Sequence, residues 1–172
     1  RVRKVSFTGG GATAKHVMRQ AADSLLPVHF ELGGNDPAIV LSDADLPATA
    51  DRIVLSAFRR AGQVCFATKR VYVQRAVADE FIRLVVERVD RMVVGDAQDE
   101  RSDMGPVNNA GQFARVSELR ERTRAAGRDV RILGSKLDEA AWDDGHFLLP
   151  AVVVDARHDD EVVREEQFGP AL

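Results

Sequence analysis

Residues 2–28 read VRKVSFTGGGATAKHVMRQAADSLLPV. Val2 to Phe7 alternates apolar with charged or hydroxyl side chains, the period-two pattern of a strand with one face covered, and it runs into Gly9-Gly10-Gly11, where the backbone can turn with no Cβ in the way. Past the glycines, Ala14, Val17, Met18, Ala21, Ala22 and Leu25 recur at three- and four-residue spacing. That spacing predicts a helix over Ala12–Ser24, packed on one face and ended by Pro27. A strand passing through a glycine turn into a helix opens a strand-helix alternation, and the rest of the chain continues it.

Val28–Leu32 and Pro37–Leu41 read as short extended segments on either side of the turn-forming cluster Gly33-Gly34-Asn35-Asp36, and the second is apolar enough to be expected buried. Asp43-Ala44-Asp45-Leu46-Pro47 places carboxylates and a proline where a helix N-terminus wants them, predicting a helix that runs to about Arg60. Arg70–Gln74 alternates as a strand. Phe81, Leu84, Val85, Val89 and Met92 give Ala78–Met92 a helical period. Asp96–Asp103 reads as a loop, Asn109–Ala126 as a surface helix with a stripe of Phe113, Val116 and Leu119, and Val130–Leu133 and Leu148–Val154 as strands. The chain has no internal repeat. Strands alternating with helices imply an α/β fold: an open, mainly parallel twisted sheet with helices on both faces.

Composition narrows the function. The chain is 45% hydrophobic and 30% charged over 172 residues, a globular balance with enough apolar material for one core. Its net charge is -3, with 24 basic against 27 acidic side chains, which gives no electrostatic footprint for nucleic acid or an anionic membrane. No apolar run reaches the length of a membrane span. One cysteine cannot form an internal disulfide, and a reducing, cytoplasmic setting is expected. His16, His29, His146 and His158 are scattered without ligand spacing, so no metal site is expected.

Three elements could carry chemistry. The lone cysteine lies in Gly62-Gln63-Val64-Cys65-Phe66-Ala67-Thr68, a glycine-flanked loop after a helix; a free cysteine usually packs as a small hydrophobe, but a loop of this kind lets a thiol meet a ligand. Glu31 ends an apolar strand, between Phe30 and Leu32 and before two glycines. Partial desolvation there would raise its pKa as a general base requires, while the plainer reading is a salt-bridged or solvent-facing glutamate. Thr8-Gly9-Gly10-Gly11 would expose amide donors at a helix N-terminus, where phosphate is favoured, although a flexible turn explains the glycines equally well and the GxGxxG spacing is absent.

Taken together and in order, FTGGGATAKHVMRQAA, PVHFELGGNDPAIVLSDADL, AGQVCFATKRVYVQ, MVVGD, MGPV, GHFLLPAVVVD and REEQFGP strongly resemble the NAD(P)-dependent aldehyde dehydrogenase superfamily over essentially the whole chain. ELGG, GQxC and EExFGP are its specific signals. The resemblance implies Cys65 as nucleophile and Glu31 as general base. It implies Glu166 and Phe168 at the nicotinamide ribose and ring, Thr8, Gly9 and Gly10 along the nicotinamide and pyrophosphate, and Leu32 and Gly33 as further cofactor contacts. It also implies NAD or NADP as cofactor, a small-molecule aldehyde as substrate, and a homo-oligomeric enzyme, dimer or tetramer, with no nucleic-acid or membrane partner.

The chain departs from the family pattern at Gly10, where a serine is usual, and at Ala14, where a glycine is frequent. A hydroxyl contact to pyrophosphate is therefore lost, and the choice between NAD and NADP is open. Family members are much longer, so the expectation is a cofactor-domain remnant over 1–31 followed by a truncated catalytic domain over 32–172, inactive by itself. Two other readings compete. A coenzyme-A-acylating enzyme usually lacks the base that Glu31 supplies, and a non-catalytic module would have no need of Cys65, Glu31, Glu166 and Phe168 together.

Overall fold

The computed structural model describes residues 2–172. The chain forms two compact units, Arg1–Gly34 and Asn35–Leu172.

In the first unit β1 (Val5–Thr8) leads through the glycines into α1 (Gly11–Ala22), and β2 (Val28–Glu31) returns parallel to β1. The helix ends before Pro27. Leu25 takes a left-handed φ of 51°, and the Leu25 and Leu26 amides fold back onto the carbonyls of Ala22 and Ala21.

In the second unit β3 (Asp36–Val40) pairs in parallel with β4 (Thr68–Val73), joined through α2 (Leu46–Phe58). Asp45 caps α2 by accepting from the Ala48 amide at 3.1 Å, and Pro47 lies in the first turn, where its missing N–H costs nothing. α3 (Ala78–Asp90) and β5 (Val93–Val94) follow, then α4 (Ala110–Ala125), which Asn109 caps by accepting from the Gln112 amide at 2.9 Å. β6 (Asp129–Ile132), β7 (Ser135–Lys136), β8 (Ala151–Val154) and the one-turn α5 (Glu161–Arg164) complete the chain.

The α/β class is the one expected, with β5 and β7 adding a third parallel pair. Two details differ from the sequence pattern. The described strands pair two by two rather than in one continuous sheet, and β6–β8 is antiparallel. Parallel partners need a covering crossover, and the segment between Ile132 and Ala151 contains no α-helix, so the chain turns back on itself instead. β3 is also not wholly buried. Val40 is covered but Ile39 is 74% exposed, because a strand covered on one face turns alternate side chains outward. The core gathers Val40, Ile53, Ala57, Phe58, Phe81, Val85, Val89, Val94 and Val152, where α2 and α3 meet the strands. No helix among the described residues is long and apolar enough to cross a membrane.

Candidate active site

In the first unit the register sets Thr8 opposite Glu31, and the Gly9 amide donates to the Glu31 carbonyl at 3.1 Å. Thr8, Gly9, Gly10 and Glu31 thus share the C-terminal end of the β1–β2 pair, with the Phe7 and Phe30 rings edge to face behind them. The Glu31 side chain is exposed, not desolvated as its apolar neighbours implied: in a two-stranded ladder it alternates outward from Phe30. Leu32 and Gly33 continue the exposed edge. No side chain caps α1, and a methyl group at Gly10 or Gly11 would meet nothing within 4 Å. The first amides of α1 and the positive end of its dipole therefore face open space.

In the second unit Cys65 lies in the turn between α2 and β4, exposed beside Phe66, which is 70% exposed. The route to that turn is strained. α2 ends at Phe58, short of Arg60, because Arg60 and Ala61 adopt left-handed backbone (φ 53° and 55°) ahead of Gly62 (φ 68°). Two consecutive non-glycine residues there cost about 1–2 kcal/mol each, and such strain persists only where surrounding contacts impose it. Those contacts are visible. Gln63 exchanges hydrogen bonds with Asn108, donating to its Oδ1 at 2.9 Å and accepting from its amide at 3.0 Å. The Ala67 amide closes the turn on the Val64 carbonyl at 3.0 Å, and Ser56 holds the start of β4 through the Thr68 hydroxyl and amide.

The segment carrying Glu166 and Phe168 abuts this loop. A Cβ on Gly62 would sit 2.3 Å from the Gly169 carbonyl oxygen, so only glycine permits the approach. Glu166 and Phe168 are half-buried, and Phe168 itself is left-handed (φ 46°). Side chains grip the carbonyls of this segment one after another. Arg115 donates to Glu166 and, at 2.6 Å, to Gln167; Gln112 donates to Gln167 and Phe168; Arg120 donates to Pro170. Lys69 donates to Gly169 at 2.8 Å, to Ala171 at 3.3 Å and, in the other direction, to Ala57 in α2 at 3.1 Å. Burial pushes the Lys69 ammonium down to about 7; Glu166 opposes that and Arg120 adds to it.

Cys65 is thus held in one unit with the Glu166–Ala171 segment, and Glu31 in the other with the glycine turn. A cleft of about 330 Å³ between β4 and β8, lined by Val71, Val73, Phe81, Val152 and Val154, does not include Cys65. Among the described residues no three His, Cys, Asp or Glu side chains cluster as metal ligands would. Lys69, Gln112, Arg115 and Arg120 escaped the sequence reading. A lysine at the inward position of an alternating strand was the available signal for Lys69. The α4 residues carried none, since an exposed helix is expected to be rich in arginine.

All of residues 1–172 match the family model described as the aldehyde dehydrogenase family, and the chain belongs to that family. Solved structures agree. A mutant of aldehyde dehydrogenase C from Pseudomonas syringae, complexed with NAD+ and octanal, is 31% identical with a TM-score of 0.92, over 99% of this chain and 35% of that one. Betaine aldehyde dehydrogenase from Staphylococcus aureus in complex with NAD+ is 33% identical with a TM-score of 0.91, over 99% and 34%. A mutant aldehyde dehydrogenase from Bacillus cereus is 31% identical with a TM-score of 0.90, again over 99% and 34%. The chain spans about a third of the length of each of these proteins.

Proposed function

We propose that this chain carries the nucleophile and the general base of an NAD(P)-dependent aldehyde dehydrogenase, and that the complete polypeptide oxidises an aldehyde to a carboxylic acid. The observation that carries the reading is the joint in the second unit: the exposed Cys65 loop, strained and hydrogen-bonded in place, is packed through Gly62 and Gly169 against the segment that presents Glu166 and Phe168. Solved relatives that hold NAD+ support the cofactor. We read the first unit as the end of an NAD(P)-binding domain and the second as part of a catalytic domain.

The residues present fit a dinucleotide. The open N-terminus of α1 offers amide donors to a pyrophosphate, and Gly10 and Gly11 leave room for its approach. Glu166 would take the nicotinamide ribose and Phe168 would pack on the ring. When bound, the dinucleotide supplies an acceptor for hydride.

Cys65 acts as a thiolate, its sulfur bonding to the aldehyde carbon to give a hemithioacetal whose oxyanion the Cys65 amide can stabilise. As the oxyanion collapses, the C–H bond breaks with its electron pair and a thioester remains on Cys65. Glu31 then takes a proton from water, the water oxygen bonds to the thioester carbon, and the C–S bond breaks to release the acid and restore the thiolate. Glu31 is exposed at the end of β2, where solvent water has access to its carboxylate.

Stopped-flow measurement of the complete polypeptide with NAD+ and a panel of aliphatic aldehydes that includes octanal tests the proposal. The expected record is a burst of NADH up to one per active site, followed by slower turnover. Absence of aldehyde-dependent NADH formation with NAD+ and of NADPH formation with NADP+ would end this reading.

A further inference from the structure

Lys69 is 4% exposed, and its Nζ lies within hydrogen-bond distance of the carbonyls of Ala57, Gly169 and Ala171. An ammonium has three donors and no acceptor, so three carbonyls satisfy it completely. These carbonyls belong to two separate stretches of chain, the last turn of α2 and the segment Gly169–Ala171. A Cβ on Gly62 would lie 2.5 Å from the Lys69 Nζ, 2.3 Å from the Gly169 oxygen and 2.8 Å from the Ala57 oxygen. The ammonium and Gly62 therefore fill one small joint, three residues before Cys65 and one residue after Phe168. The left-handed backbone at Arg60, Ala61 and Phe168 flanks the same joint.

A lysine placed there to hold the fold alone would be a poor choice, because burying the charge costs stability that an apolar side chain would not. What the ammonium provides, and an apolar side chain does not, is three directed bonds that fix two backbone segments at once. We propose that Lys69 is a positioning residue of the reaction, tying the Gly169–Ala171 backbone to the end of α2 so that the Cys65 loop and Phe168 keep one mutual setting. This rests on the reading of Cys65 as nucleophile and of Glu166 and Phe168 as nicotinamide contacts.

The test uses the complete polypeptide at pH values below about 7, where the Lys69 amine keeps its proton, with Lys69→Met and Lys69→Gln compared with the unaltered enzyme. In either variant that folds, the rate constant of the NADH burst is expected to fall at least about tenfold, with the burst amplitude and the KM for NAD+ within about threefold, because hydride transfer needs the setting and cofactor binding does not. Amide exchange is expected to quicken in residues 62–66 and 168–171 and to stay unchanged in Ala78–Asp90. A purely structural lysine would lower the amplitude, the fraction of competent enzyme, and leave the rate constant alone; that result overturns the proposal. So does a folded variant with a burst rate within about twofold of the unaltered enzyme, and so does failure of both variants to fold. If the unaltered enzyme forms no NADH from any aldehyde, it is the reading of the site that fails, not the role of Lys69 within it.

Discussion

The two compact units hold their candidate chemistry by different means. In Arg1–Gly34 the buried apolar residues are Ala14 and Ala21, and Thr8, Gly9, Gly10 and Glu31 are positioned by a four-residue parallel ladder and the turn that follows it. In Asn35–Leu172 a core running from Val40 to Val152 accompanies a loop flanked by named contacts: Gln63 with Asn108, Ser56 with Thr68, and Lys69 with the carbonyls of Ala57, Gly169 and Ala171. A stretch of some thirty residues cannot bury enough surface to be rigid alone. The comparison teaches that a turn with open backbone amides needs only a ladder, whereas the strained Cys65 loop needs a packed and hydrogen-bonded floor.

The sharpest way to separate the two units is to remove one chemical group from each. Cys65→Ala is expected to lower aldehyde oxidation at least about 10⁴-fold in steady-state assays, since the covalent step has no substitute, while NAD+ affinity by calorimetry stays within about threefold. Glu31→Gln is expected to keep the burst and to slow the turnover after it by about 10²–10⁴-fold, because only the attack of water needs the base. Equal loss in both phases would place Glu31 outside deacylation.

The strand-helix order was legible because periodicity and glycine turns are local properties of sequence, and the candidate site residues were named from three compact motifs. The joint at Lys69 was not, since it depends on which carbonyls a folded chain brings to one point a hundred residues apart. The same limit explains Glu31. Its apolar neighbours implied burial, yet burial is decided by the register and by what covers the face. The early end of α2 was hidden as well, because nothing in Arg59-Arg60-Ala61 forbids a helix, while the hydrogen bonds that hold the following turn come from Asn108 and Ser56, far from it in sequence or before it in α2.

Glycine substitutions extend the comparison to stability. Gly62→Ala, with φ at 68° and carbonyls 2.3 and 2.8 Å from the new methyl, is expected to destabilise the second unit by about 2–3 kcal/mol in denaturant unfolding. Gly10→Ala, meeting nothing within 4 Å, is expected to change stability by less than about 1 kcal/mol. Similar costs at both positions would erase the contrast between a packed loop and an open turn.

The same joint also makes stability depend on pH. The amine of Lys69 titrates near 7 in the folded chain against 10.5 when unfolded, so between these values the unfolded state binds the extra proton and stability rises with pH. Below about pH 7 both states are protonated and this contribution no longer changes. Urea unfolding followed across that window should show the rise in the unaltered protein and lose it in Lys69→Met; an equal slope in both would assign the effect elsewhere.

That Cys65 forms the bond to substrate is tested most directly by trapping it. The Glu31→Gln form of the complete polypeptide, mixed with NAD+ and octanal and quenched in acid during the slow phase, should show by intact mass one added acyl group per chain, mapped by proteolysis to the peptide that contains Gly62–Thr68. An unmodified Cys65 during turnover, or an acyl group on another residue, would contradict the account.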